Sequence, residues 1–104
     1  MVYSVYITES FEKELNELSD SNKDIINKIF LQLKENPYVG DQIKYRFFRE
    51  KRIGEKRIYY LIYDEFSCVL VVAISNKKVQ QETIDEIIKL LPEFKIYIKK
   101  SRKP

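Results

Sequence analysis

Residues 47–66, "FFREKRIGEKRIYYLIYDEF", have the pattern of two antiparallel strands that are joined at a single glycine. Gly54 can take the positive φ that the first position of a two-residue type II′ turn requires, and Glu55 completes that turn. A loop of this length determines which residues face each other across the hairpin. The predicted pairs are Ile53 with Lys56, Arg52 with Arg57, Lys51 with Ile58, and Arg49 with Tyr60. Because like charges directly opposite each other destabilise a hairpin, the pairing of Arg52 with Arg57 indicates that an anion lies between them.

This hairpin is predicted to be part of a three-stranded antiparallel meander. The strands cover about residues 44–53, 56–64 and 67–75, after the turn-rich connector "NPYVGDQI". The third strand contains "CVLVVAI", which is apolar on both faces and is therefore typical of a central strand that is covered on each side. We expect the helices to lie on one face of this sheet, and another chain or segment to cover part of the other face.

A strand and two helices are predicted before the meander. Residues 2–7, "VYSVYI", have the composition of a strand, and Thr8 is a suitable N-cap for a first helix. The second helix is predicted to begin at a cap formed by Ser21 and Asp24 and to end before Pro37. Both helices have apolar residues at helical spacing: Phe11, Leu15 and Leu18 in the first, and Ile25, Ile26, Ile29, Phe30 and Leu33 in the second. A short connection makes them an antiparallel helix hairpin.

One further helix is predicted after the meander, over residues 79–91, with Pro92 as its end. The following "FKIYIKK" alternates apolar with basic or aromatic residues, which favours an edge strand or a segment that a partner orders. Residues 99–104 are predicted to be a flexible basic tail. The whole chain, residues 1–104, is predicted to be one α+β domain with an N-terminal strand, a helix hairpin, a three-stranded meander and a C-terminal helix.

The composition excludes several kinds of site. Apolar residues form 44% of the chain and charged residues 34%, which indicates a globular protein with a charged surface. With no His and one Cys, neither a metal site nor a Cys/His nucleophile has candidate residues, so we expect no metal and no cofactor. Two glycines are too few for a phosphate-binding loop. Cys68 is the one cysteine and lies within an apolar run, which predicts a buried free thiol and, because no internal disulfide can form, a cytoplasmic protein. The run is too short to cross a bilayer.

Positive charge is concentrated around the hairpin. The net charge of the chain is only +3, but residues 44–57 contain seven Lys or Arg and two Glu. One interpretation is that Glu50, on the same face as Arg52 and diagonal to Arg57, neutralises the two arginines in a solvated ion network. The other is that an external phosphate binds between them, because guanidinium groups bind phosphate through paired donors.

Lys77 and Lys78 form a second basic group where the third strand ends and the last helix begins. A helix start also offers free backbone N–H groups, so this position suits an anion; two lysines that only make the helix start soluble are the simpler interpretation. In an antiparallel meander, the start of the second strand lies beside the end of the third. Arg57 and Lys77 are therefore predicted to be neighbours.

The order of elements, together with "NPYVGD", "FFREKRIGEKRIYYL" and "NKKVQQETID", resembles the RelE/ParE toxin superfamily of type II toxin–antitoxin modules. The resemblance covers about residues 2–91, and within the superfamily the chain is similar to small archaeal RelE-like proteins. It implies the α+β fold described above. Activities differ among relatives with this fold, which include ribosome-dependent mRNA endonucleases, gyrase poisons and inactive members.

The resemblance to RelE-type nucleases also implies roles for particular residues. In "KRIYY", Arg57 matches the arginine that contacts the scissile phosphate, and Lys77 and Lys78 match basic residues that act there, with Lys77 as the base. The other residues expected to contact RNA phosphates are Arg49, Arg52, Lys56 and Tyr97. Such nucleases often have a Tyr or His in or after the last helix that transfers a proton. This chain departs from that pattern, since Ile84 is near the expected position and the chain has no His; Tyr97 or a lysine would have to substitute.

Three functions are compatible with these residues: a ribosome-dependent mRNA endonuclease that inhibits translation, a ParE-like toxin that binds a protein such as DNA gyrase without RNase activity, and an inactive nucleic-acid-binding relative. Both toxin functions imply a cognate antitoxin whose disordered segment folds across the toxin. Phe47, Ile96 and Ile98 are expected to contribute apolar surface to that contact. The nuclease function further implies the ribosome and mRNA as partners, and no membrane.

Overall fold

The computed structural model describes residues 2–102 and has the predicted α+β class. A five-stranded sheet has the strand order β1-β5-β4-β3-β2. Strand β1 is parallel to β5, and the other neighbouring strands are antiparallel. In chain order, the elements are β1 (Ser4–Ile7), α1 (Glu9–Asn16), α2 (Asp20–Glu35), β2 (Asp41–Ile43), β3 (Tyr45–Ile53), β4 (Lys56–Tyr63), β5 (Cys68–Asn76), α3 (Gln80–Lys89) and α4 (Leu91–Ser101).

The hairpin of β3 and β4 has the predicted register. All four predicted pairs are present, including Arg52 opposite Arg57. Gly54 has a φ of +58°, whereas Glu55 is not among the described residues with positive φ, as a type II′ turn requires. The two-residue loop therefore decides which side chains of the hairpin share a face, and so which cations can act together.

Helices cover both faces of the sheet. On one face, Phe11 of α1 and Ile26 and Leu33 of α2 pack against Ile58 and Tyr60 of β4. On the other face, α3 and α4 form a second core that contains Tyr59, Leu61, Cys68, Ile87 and Ile98. The expectation that the helices lie on one face is therefore wrong, because α3 and α4, a segment of this chain, cover the other face. Strand β4 lies in the middle of the sheet and is buried on both sides, while β5 lies next to it.

The N-terminal elements confirm the predicted strand and helix hairpin, with one correction. Thr8 caps α1, since its Oγ1 accepts a hydrogen bond from the Phe11 N–H at 3.1 Å. Helix α2 begins earlier than predicted, because Ser19 rather than Ser21 or Asp24 is its N-cap. Any of these residues can cap a helix, so the short connection to α1 decides the choice.

Strand β2 was not predicted. It lies in the segment assigned to a connector, pairs with β3 over three residues and has an irregular register between Gln42 and Ile43. A three-residue strand is too short to show a period-2 pattern, so only its partner reveals it.

The C-terminal prediction was wrong in several respects. The segment "FKIYIKK" is helical, and Pro92 lies in the first turn of α4 instead of only ending α3. Proline suits this position because an N–H there has no partner within the helix. Ile98 is fully buried and cannot meet a partner, whereas Ile96 is 55% exposed. Residues 99–101, expected in a tail, belong to α4; residues 103–104 lie outside the described part of the chain.

Within residues 2–102, no helix has the length and apolar character needed to span a membrane. Cys68 is a free thiol that is 1% exposed, as predicted. Burial raises the pKa of this thiol.

Candidate functional site

A cleft of about 670 Å³ lies at the turn end of the β3–β4 hairpin, where β5 also ends. It is lined by Arg52, Gly54, Glu55, Arg57, Asn76, Lys77 and Lys78. Four of these side chains are cationic and one is anionic, so the cleft is suited to an anion. We call it the basic cleft. The antiparallel pairing of β4 with β5 brings Arg57 opposite Ser75, two residues before Lys77, as predicted from the order of the strands.

Arg57 is the buried cation of the basic cleft. The residue is 8% exposed, in contrast with Arg52, Lys77 and Lys78, which are exposed. Its Nε atom has no hydrogen-bond partner among the described residues. Because a buried donor without a partner is costly, a ligand that accepts from this guanidinium would relieve that cost. Arg57 is also rigidly placed, since it lies on the central strand of the sheet.

Glu50 lies behind Arg57 on the same face of the sheet. Its Oε2 atom is 3.8 Å from Arg57 Nε, and both side chains are 10% exposed. A charge interaction between Glu50 and Arg57 is therefore present, but it is buried, whereas the interpretation from the sequence was a solvated network that includes Arg52. The distance is too long for a hydrogen bond. Glu50 instead accepts hydrogen bonds from the Gln80 amide, at 3.1 Å to Oε2 and 3.5 Å to Oε1.

Tyr59 and Ser75 complete the buried layer beside this ion pair. The two hydroxyl groups are 2.8 Å apart, and both residues are buried. Burial raises the pKa of Tyr59, with a smaller contribution from Glu50 in the same direction, whereas Ser75 and Arg57 lower it. The phenol therefore stays neutral near pH 7 and serves as a hydrogen-bonding support.

Lys77 and Lys78 project from a short 3₁₀ turn, Lys77–Val79, that connects β5 to α3. Asn76 caps this turn, since its Oδ1 accepts a hydrogen bond from the Val79 N–H at 3.3 Å. The cap holds the start of the turn at the edge of the basic cleft, and both lysine side chains line that cleft. The second basic group predicted from the sequence thus joins the first.

The structure does not bring Arg49, Lys56 or Tyr97 into the basic cleft. Arg49 faces the opposite side of the sheet from Arg57, and it donates to the carbonyl oxygens of Arg46 at 2.9 Å and Gly40 at 3.0 Å. Lys56 follows the turn on that same opposite face. Tyr97 lies on α4, where its hydroxyl donates to the Ile7 carbonyl at 3.0 Å. Their proposed contacts with RNA stay predictions, and the basic cleft does not contain them.

Two residues of the site were missed by sequence reasoning. Asn76 lines the basic cleft, and an Asn between a strand and a helix is a recognisable capping signal. Gln80 carried no such signal, because its partner Glu50 is 30 residues away and on another element. Within residues 2–102, no group of His, Cys, Asp and Glu could hold a metal ion.

No protein-family model and no curated protein matches the sequence. Solved structures do match the fold. A mutant of the Escherichia coli toxin RelE in the free state is similar at a TM-score of 0.70 and 19% identity, over 84% of this chain and 99% of that one. The Mycobacterium tuberculosis toxin–antitoxin complex RelBE2 is similar at a TM-score of 0.65 and 21% identity, over 74% of this chain and 100% of that one.

An archaeal RelE–RelB complex from Pyrococcus horikoshii gives a TM-score of 0.67 at 15% identity, over 74% of this chain and 97% of that one. Two of these structures are from bacteria and one is from an archaeon, and the alignment with this chain covers nearly the whole length of each. The resemblance expected from the sequence is therefore confirmed at the level of fold: the chain has the fold of the RelE toxins.

Proposed function

We propose that this chain is the toxin of a type II toxin–antitoxin module and that it inhibits translation by cutting mRNA on the ribosome, in the cytoplasm. One observation carries the proposal: on a RelE fold, a single cleft combines a buried arginine that has an unpartnered donor with three exposed cations. An RNA phosphate is the anion that matches this arrangement, because its oxygens accept from guanidinium in pairs.

The reaction is transesterification within the RNA. The ribose 2′-oxygen forms a bond to the adjacent phosphorus, and the bond from phosphorus to the 5′-oxygen of the next nucleotide breaks. Arg57, with Arg52, binds the phosphate and stabilises the charge that develops on it. Lys77 takes the proton of the 2′-hydroxyl, and Lys78 protonates the leaving 5′-oxygen, so the products are a cyclic phosphate and a 5′-hydroxyl.

Positioning of the substrate is assigned to the ribosome. Three of the four cations in the basic cleft are exposed, so the protein alone offers one buried contact, at Arg57. An external template that holds the mRNA in a reactive conformation can supply a large part of the rate enhancement. We therefore expect cleavage of translated mRNA and little cleavage of free RNA.

A cognate antitoxin is the proposed partner that keeps the toxin inactive. Structures with this fold include complexes with the RelB antitoxin or with a RelB peptide. In this chain, a second cleft of about 370 Å³ is lined partly by Phe47 and Leu91, and also by the cations Arg46 and Lys95 and the carboxylates Asp64 and Glu65. Phe47 is 38% exposed. An antitoxin segment with apolar residues, flanked by charged residues of both signs, would match this surface.

A second candidate function is binding without catalysis, as in a gyrase-binding toxin of the same fold. The positions of two residues favour it. Tyr97, the expected substitute for a proton-transfer group, is hydrogen-bonded to the Ile7 carbonyl, and Ile84 packs against the second core. Neither residue provides an acid or base to the basic cleft, so a nuclease must rely on its lysines.

The test is primer extension on mRNA from a cell-free translation reaction. The unmodified protein is compared with Arg57→Lys and with a double variant, Lys77→Ala with Lys78→Ala. Lys51→Ala is the matched control, because it removes a cation of the same hairpin from the face opposite the basic cleft. We expect cuts that require ribosomes, a rate about 10²–10³-fold lower in the Arg57→Lys variant, and no change in the control.

Intact mRNA with the unmodified protein would refute the nuclease proposal. If the protein is nevertheless toxic, and Arg57→Glu is equally toxic, the target is a protein and the basic cleft is incidental. Equal losses in Lys51→Ala and in the Lys77/Lys78 double variant would show that the total positive charge matters and the basic cleft does not.

A further inference from the structure

Gln80 contacts the buried ion pair from outside the basic cleft. It is the first residue of α3, and its Nε2 donates to Glu50 Oε2 at 3.1 Å. Neither Gln80 nor Glu50 lines the basic cleft. A phosphate in the cleft would therefore touch Arg57, while Gln80 and Glu50 would act on it only through Arg57.

The geometry of Arg57 and Glu50 is unusual for a buried pair. A guanidinium beside a carboxylate normally forms charge-assisted hydrogen bonds of 2.7–2.9 Å. Here the nearest approach is 3.8 Å, and Arg57 Nε has no partner among the described residues. The carboxylate oxygen nearest to Arg57 is Oε2, which is also the one that accepts the shorter hydrogen bond from Gln80.

We infer that Gln80 is a positioning residue that holds Glu50 back from Arg57, so that the donors of Arg57 stay available for a phosphate. The carboxylate still orients the guanidinium through its charge. This inference deepens the proposed function, because it concerns how the same basic cleft binds its anion.

The consequence of losing Gln80 follows from competition between two anions. Carboxylate and phosphate use the same planar donors of a guanidinium. Without the Gln80 amide, Glu50 can approach Arg57 and form the direct hydrogen-bonded pair, which a phosphate must then break. Gln80 therefore affects phosphate binding only while residue 50 is a carboxylate.

The experiment is an NMR titration with inorganic phosphate that follows the Nε–H resonance of Arg57. The main variant is Gln80→Met, which keeps the length of the side chain and removes its amide. Gln81→Met is the matched control, because Gln81 is the next residue of α3 and donates to Asp85 at 2.9 Å, away from the ion pair. Each variant is also made in a Glu50→Gln background.

We expect Gln80→Met to weaken phosphate binding about tenfold, the cost of breaking one charge-assisted hydrogen bond. In the free variant, the Arg57 Nε–H resonance should move downfield as the bond to Glu50 forms. Gln81→Met should change neither quantity. In the Glu50→Gln background, Gln80→Met should change the affinity less than twofold.

An equal loss of affinity in both backgrounds would overturn the inference, since Gln80 would then act by some route other than Glu50. An unchanged Arg57 resonance in Gln80→Met would overturn it as well, and so would a lack of phosphate binding by the unmodified protein. The titration uses no ribosomes. Intact mRNA in the cleavage test would therefore refute the proposed nuclease and leave this result standing.

Discussion

Removing Arg57 should destabilise the fold as well as abolish function, and the two effects can be separated. Arg57→Ala leaves Glu50 buried without a cation, and such a loss of one partner costs about 3–5 kcal/mol. The lower end applies, about 3 kcal/mol, because the pair is 3.8 Å apart and Gln80 still donates to Glu50. For a chain of this size the melting temperature should fall by about 12 °C or more.

The double variant Glu50→Gln with Arg57→Ala removes the buried charge together with its partner. An amide of the same shape can keep a hydrogen bond to Gln80, so we expect most of the stability to return, to within about 1 kcal/mol of the unmodified protein. Cleavage of mRNA should not return, because the phosphate contact is still missing. Stability is measured by thermal and urea unfolding followed by circular dichroism, and activity by primer extension.

Lys51→Ala is the control for both measurements. It removes a cation from the neighbouring strand without touching the ion pair, and should change stability by less than about 0.5 kcal/mol. The reasoning is refuted if Arg57→Ala melts within a few degrees of the unmodified protein, or if the double variant is no more stable than Arg57→Ala. Recovery of cleavage in the double variant would instead refute the role of Arg57 at the phosphate.

Three further predictions concern the rest of the fold. Gly40→Ala should destabilise the protein by about 1–3 kcal/mol, measured by urea unfolding, because the new Cβ would overlap the Tyr60 hydroxyl; an unchanged midpoint would contradict this. The hydrogen bond from Tyr38 holds the pKa of Asp64 below its usual range, so this carboxylate stabilises the fold at neutral pH and ceases to do so as the pH falls through its lowered pKa. Melting temperatures of Asp64→Asn and the unmodified protein should therefore differ near pH 7 and converge below about pH 4, and a constant difference would contradict this. Cys68 should react with thiol reagents only in denaturant, since burial raises its pKa and blocks access; rapid modification of the native protein, followed by mass spectrometry, would show otherwise.

The hairpin shows how much of the candidate site the sequence could predict. The register from Arg49 to Tyr60 depends on a two-residue loop and on strand periodicity, which are local properties. The same locality explains the Thr8 cap and the helix hairpin. The prediction that Arg57 and Lys77 are neighbours needed only the order of antiparallel strands, and the basic cleft confirms it.

The C-terminal helix shows where local patterns fail. In α4, Leu91, Phe94 and Ile98 pack at helical spacing against the second core, while Phe94, Ile96 and Ile98 also fit the period of a strand. A segment this short satisfies both patterns, and its contact with the sheet selects the helix. The same packing buries Ile98, which therefore does not have the exposed position expected from the sequence, and it places the Tyr97 hydroxyl where it donates to the Ile7 carbonyl, outside the basic cleft.

By itself the sequence determined the α+β class, the hairpin register and the identity of the cations, because turn chemistry and side-chain alternation act between neighbours along the chain. The tertiary structure alone decided which of those cations share a cleft: Arg52, Arg57, Lys77 and Lys78 do, and Arg49 and Lys56 do not. It also placed Gln80 against Glu50, 30 residues away. The physical reason is that burial, the partner of a buried charge and the face that a helix covers depend on contacts between elements far apart in sequence.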